Sequence, residues 1–220
     1  MINNRYWIIN PLLILAVTYA LITLIRITVL SDLDLQQPSN LYPWVLVIPQ
    51  FFLLFYTVNF IRTNSLNIFN FNNITIKKII LIVSISVIIN MIFAIIYAQT
   101  VITINIPNIA PPLIPKYILG QHSFVIVNLL AICVFVPIIE EFFFRGVILL
   151  QLSQKTSPYK SISIGSIIFA IVHADIGLFV PVFFSSIVVS YVFLKWKSIW
   201  PVIFIHSIQN LIVTIVASSA

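Results

Sequence analysis

The sequence predicts an all-α, polytopic membrane protein of about seven transmembrane helices, and three observations carry that prediction. Of its 220 residues, 61% are hydrophobic and 7% charged, where a soluble domain carries about 25% charged residues. The apolar residues gather in runs long enough to cross a bilayer core of about 30 Å. The basic residues between those runs alternate from one side to the other.

The first span runs from about Tyr6 to Leu30, with Arg26 near its end and free to snorkel. It is too long, and lacks the small-residue site, for a cleavable signal. A polar link, Ser31 to Leu41, holds Asp32, Asp34 and Pro38. The second span is about Tyr42 to Ile61. An Asn-rich link from Arg62 to Lys78 follows, and the third span is about Ile79 to Ala98. Gln99 to Gln121 contains Pro107, Pro111, Pro112 and Pro115 among apolar residues, which predicts an interfacial segment. The fourth span, His122 to about Leu152, is about 45 Å long at 1.5 Å per residue. That is too long for one straight crossing, so tilt, a kink at Pro137 or a tail outside the bilayer is expected. The fifth span, about Ser161 to Val172, is short. Gly177 to Leu194 and Trp200 to Val216 complete the set. Residues 1–220 read as one membrane domain, with three spans and the link in 1–121 and a four-helix core in 122–216.

Arg5, Arg62, Lys77, Lys78, Lys155, Lys160, Lys195 and Lys197 fall on one side of this topology. Asp32, Asp34, Lys116 and Asp175 fall on the other. The positive-inside rule then predicts a cell-membrane protein with a cytoplasmic N-terminus and an external C-terminus. Trp7, Trp44, Trp196 and Trp200 lie near the predicted interfaces, as belt residues do. The net charge of +6 reports topology, and nucleic acid is not an expected partner. The single cysteine, Cys133, leaves no disulfide within the chain.

Against this background one stretch stands out. Pro137 to Gly146 places Glu140, Glu141 and Arg145 inside an apolar run, and the whole chain has only five acidic residues. A charge at the bilayer centre costs about 2.5–3.5 kcal/mol on the insertion scale. Such a cost is tolerated where charges are paired, solvated in a cavity or chemically employed. His173, His206 and Asn210 lie in later spans. Measured along its own helix from the basic flank, Glu140 is about 22 Å deep, His173 about 20 Å, and His206 and Asn210 about 13 and 20 Å. Three helices thus deliver polar groups to similar depth.

Spacing then divides the roles. Glu141 and Arg145 are four apart and share a face, which predicts an ion pair. Glu140 points about 100° away and is left for other work. His206 and Asn210 are four apart, so both can face one ligand, and Phe169 lies one turn before His173 as packing. Glu140 and a neutral His173 suit the activation of a water, with His206 and the Asn210 amide as donors to an oxyanion. The same Glu140, His173 and His206 are also a set that can hold zinc. At this point both readings stand, a metal-free site and a zinc site. His122 reads as a solvated flank and Asp175 as a helix cap.

Glu140-Glu141-x-x-x-Arg145, Phe169-x-x-x-His173 and His206-x-x-x-Asn210 resemble the three motifs of the CAAX-protease and bacteriocin-processing family of intramembrane proteases, also called Abi. The eukaryotic CAAX prenyl endoprotease belongs to that family. The resemblance covers about Pro137 to Leu211. It implies a core of four helices around a cavity. It implies proteolysis of a peptide or membrane-protein substrate, with Glu140 and His173 activating water and His206 and Asn210 stabilising the oxyanion. Metal dependence is disputed in the family, and some members serve in bacteriocin immunity or pheromone processing. Two other classes fit parts of the pattern. A non-catalytic immunity or binding protein would tolerate Glu140→Gln. A small transporter or proton relay would need pathways to both sides.

Overall fold

The computed structural model describes residues 8–30, 42–69, 74–106, 109, 110, 119 and 122–219. Seven helices run through them: α1 (Ile9–Leu30), α2 (Tyr42–Thr63), α3 (Ile76–Ile104), α4 (Phe124–Lys155), α5 (Pro158–Ile171), α6 (Ile176–Trp196) and α7 (Ile199–Ser219). The link Ser31–Leu41 with Asp32, Asp34 and Pro38, together with Arg5, Trp7, Pro107, Pro111, Pro112, Pro115 and Lys116, lies outside the described residues. So does the Arg26 side chain.

Among the described residues, four helical stretches are long and apolar enough to cross a bilayer: Ile76–Ile104, Phe124–Lys155, Ile176–Trp196 and Ile199–Val216. The all-α polytopic membrane fold follows from them. Ile9–Ile25 and Val47–Thr63 are shorter apolar stretches. At 14 residues, α5 extends only about 21 Å, less than the hydrocarbon core of about 30 Å. Large apolar side chains face outward along α3, among them Ile80, Leu81, Ile85, Ile88, Ile92 and Ile95. In a water-soluble chain that surface would drive aggregation; in a bilayer it is the solvated face.

Local chemistry sets the helix ends. Thr75 caps α3, its side chain accepting from the Lys78 N–H. The helix then continues past the expected end at Ala98, because Val101, Ile102 and Ile104 prolong the apolar run until Asn105 stops it in the left-handed conformation, φ 54°. Ser157 caps α5 and Pro158 opens it, where a missing N–H costs nothing. Asp175 caps α6 as expected, its Oδ1 accepting from Gly177 N at 2.8 Å and Leu178 N at 3.0 Å.

The fourth helix departs from the sequence expectation. It contains two π-helical segments, Ala131–Phe135 and Phe144–Leu149, on either side of the α-helical turns that carry Glu140 and Glu141. Pro137 supplies the physical reason for the first. A proline has no N–H and its ring crowds the carbonyl one turn back. Just ahead of it the Val136 N–H reaches back five residues, to the Ala131 carbonyl. The expected disturbance at Pro137 therefore takes the form of a π turn.

The chain divides into two compact units. The first comprises residues 1–66, 114–143 and 206–220, and the second 67–113 and 144–205. In the first, α1 packs on α2, and α2 packs on the part of α4 from Ala131 to Phe143. Tyr56 meets Phe143 there, ring centroids 6.3 Å apart. In the second, α6 packs against both α5 and α3, and α5 against Phe144–Leu149. Phe93 stacks on Phe184 at 3.8 Å, and Asn90 Nδ2 donates to Ser185 Oγ at 3.2 Å. The turn between α6 and α7 is tied down by an Ile199 N–H donating to the Ile68 carbonyl at 2.9 Å.

Candidate active site

The first unit holds Glu140, Glu141, His206 and Asn210; the second holds Arg145, Phe169 and His173. Glu140 is 5% exposed and Glu141 1%. Two acidic side chains so deeply buried demand partners, and the first unit supplies them. His206 lies between the two. Its Nδ1 is 2.8 Å from Glu141 Oε1, and its Nε2 is 4.0 Å from Glu140 Oε2. The first contact is a hydrogen bond. The second is too long for one and is an electrostatic contact at most.

Glu140 has two further partners. Gln50 Nε2 donates to its Oε1 at 3.3 Å, and the Tyr19 hydroxyl donates to it as well. Gln50 is itself 3% exposed. Sequence reasoning missed both residues, because α1 and α2 carry no motif. The depth test applied to the later spans would have found them. Along the sequence, Gln50 is about 18 Å from Arg62 and Tyr19 about 21 Å from Arg5, the same level as Glu140.

Asn210 is fixed by the π turn. With Val136 bonded to Ala131, and Pro137 lacking an N–H, the carbonyl of Ile132 has no donor from the following backbone turn. Asn210 Nδ2 donates to it at 2.9 Å. His206 and Asn210, expected to face one ligand, are thus each anchored to α4, one through Glu141 and one through Ile132. The amide nitrogen has a second hydrogen for other use.

In the second unit, His173 lies just beyond α5, in the turn that leads to Asp175. Its Nδ1 is 2.8 Å from the Phe169 carbonyl oxygen. A carbonyl only accepts, so Nδ1 carries the hydrogen. Phe169, expected as packing, does more than fill space. Its ring meets His173 at 4.9 Å and Phe144 edge-to-face at 4.8 Å, and lies 4.6 Å from the Arg145 guanidinium carbon. Arg145, 2% exposed, also donates through Nη2 to Ser186 Oγ at 3.0 Å. A guanidinium over an aromatic face in a desolvated site is worth about 2 kcal/mol.

His122 is exposed, as a solvated flank should be. Among the described residues, no group of three or more His, Cys, Asp or Glu side chains is arranged to hold a metal ion.

Comparison with known proteins bears on this segment. Residues 122–212 match the family described as Type II CAAX prenyl endopeptidase Rce1-like. The chain is also similar to the protein named "Putative membrane peptidase YdiL" of Bacillus subtilis (strain 168), 35% identical over 79 residues. That alignment covers 36% of this chain and 32% of the relative. No solved structure matches. The segment that carries Glu140, Glu141, His173 and His206 is thus the part of the chain that is similar to CAAX prenyl endopeptidases.

Proposed function

We propose that the protein is an intramembrane endopeptidase that hydrolyses a peptide or membrane-protein substrate without a covalent intermediate. The observation that carries the proposal is the histidine held between two buried glutamates, in the segment that matches the peptidase family. Glu140 takes a proton from a water, a step in which the motif resemblance gives His173 a share. The oxygen attacks the scissile carbonyl carbon. Negative charge moves to the carbonyl oxygen and is met by the second Asn210 amide hydrogen and by His206 in its doubly protonated form, Nδ1–H on Glu141 and Nε2–H on the oxyanion. Collapse of the tetrahedral adduct breaks the carbon–nitrogen bond, and Glu140 returns its proton to the leaving amine. Water, proton and bond are then all accounted for, with Glu140 acting first as base and then as acid.

Glu141 serves this scheme by holding His206 through Nδ1, which turns Nε2 toward Glu140. Arg145 and Phe169 serve it by holding the His173 ring. With the N-terminus cytoplasmic and the C-terminus external, as the basic flanks indicate, cleavage falls in the cytoplasmic half of the membrane.

The test uses the full-length protein in liposomes and internally quenched peptides, with and without a prenylated C-terminal CAAX-type segment. Glu140→Gln and His173→Ala should each lower cleavage by about 10²–10⁴-fold, with insertion and abundance unchanged. Full activity in both variants would overturn the mechanism. Preference between the two peptides would establish the substrate class.

A further inference from the structure

Tyr19 and Gln50 lie outside residues 122–212, on helices without motifs, yet both donate to Glu140. We infer that Tyr19 and Gln50 are positioning residues for Glu140, so that the active carboxylate is aimed by α1 and α2 and not by its own helix alone. The inference rests on the peptidase reading of Glu140.

The geometry gives the reasoning. Glu140 sits on the short α-helical stretch between two π segments. A glutamate side chain has three rotatable bonds before its carboxylate, and orienting it requires external contacts. Gln50 Nε2 binds Oε1 at 3.3 Å. That leaves Oε2 as the oxygen facing His206 Nε2 across 4.0 Å. Tyr19 adds a second donor from another helix. Both donors are neutral, so they hold the carboxylate without the full neutralisation an arginine would bring. Gln50 is buried, and its neighbour Pro49 lies inside α2. A long polar side chain is retained there in the middle of an apolar helix, where its contact with Glu140 gives it a purpose.

Glutamate occurs only twice in the chain, at Glu140 and Glu141. Cell-free synthesis with carboxyl-¹³C glutamate therefore labels two groups, and Glu140→Gln identifies which infrared band belongs to Glu140. In the full-length protein, Tyr19→Phe and Gln50→Leu should each shift the Glu140 band and leave the Glu141 band in place. Each should also lower kcat on the quenched peptide at least tenfold, with KM changed less than twofold. An unmoved Glu140 band in both variants overturns the inference. So does a shifted band with unchanged kcat, since the contact would then carry no positioning role. Absence of cleavage by the wild-type protein would instead overturn the peptidase reading, while the band shift still reports the contact.

Discussion

His206 Nδ1 stands 2.8 Å from Glu141 Oε1, and that contact makes the second glutamate a partner of α7. Glu141 is 1% exposed, so truncating His206 removes a hydrogen bond from a buried carboxylate. His206→Ala should destabilise the protein by about 1–3 kcal/mol and abolish cleavage. His206→Gln should recover most of the stability and none of the activity. Thermal unfolding in detergent, read beside peptide cleavage, separates the two effects. Equal stability of the alanine variant and the wild type would show that the contact contributes nothing to folding.

Asn210 Nδ2 supplies the Ile132 carbonyl with a donor in place of the missing backbone N–H. Asn210→Leu should cost about 1–3 kcal/mol for the orphaned acceptor. Pro137→Ala restores an N–H to the turn and gives the backbone a donor of its own. In a double-mutant cycle, Pro137→Ala should therefore reduce the cost of Asn210→Leu by at least 0.5 kcal/mol, about the smallest coupling such cycles resolve. Additive behaviour would mean that Asn210 does not stand in for the proline.

Asp175 begins α6 immediately after the His173 turn, and Ala174 between them holds a left-handed φ of 51°. Asp175→Ala should cost about 0.5–2 kcal/mol, the usual range for a lost N-cap. Asp175→Asn should cost much less, because its side-chain oxygen accepts the same two N–H groups. Both should keep measurable peptidase activity. Loss of activity in Asp175→Asn with stability retained would assign the carboxylate a role beyond capping.

Much of this architecture could be read from the chain. Hydropathy and basic flanks located the helices, since the bilayer imposes one length scale on all of them. The ends of α6 and α7 fell within a few residues of expectation. The end of α3 did not, because Val101, Ile102 and Ile104 were grouped with the prolines that follow rather than with the helix before. Glu140, Glu141, His173, His206 and Asn210 were legible because charge and amide groups are rare in apolar runs. Tyr19 and Gln50 were equally deep but carried no motif spacing. The π segments were invisible for a different reason. Apolar periodicity records which faces are buried, whereas a shift from i−4 to i−5 bonding changes the rotation between stretches and leaves composition untouched. The Glu141–His206 contact joins residues 65 apart in sequence, and only the folded chain relates them.

The π turns also make residue count, rather than residue identity, a determinant of this helix. Each is equivalent to one residue added to an ordinary helix. Deleting one residue between Ala131 and Phe135 would let the ladder close as a regular α-helix while the flanking turns keep their faces. Asn128, fully buried on the preceding turn, would stay where it is. The same deletion in an ordinary α-helical turn of α4 would rotate everything beyond it by about 100°, so the place of a deletion decides whether the buried faces survive it.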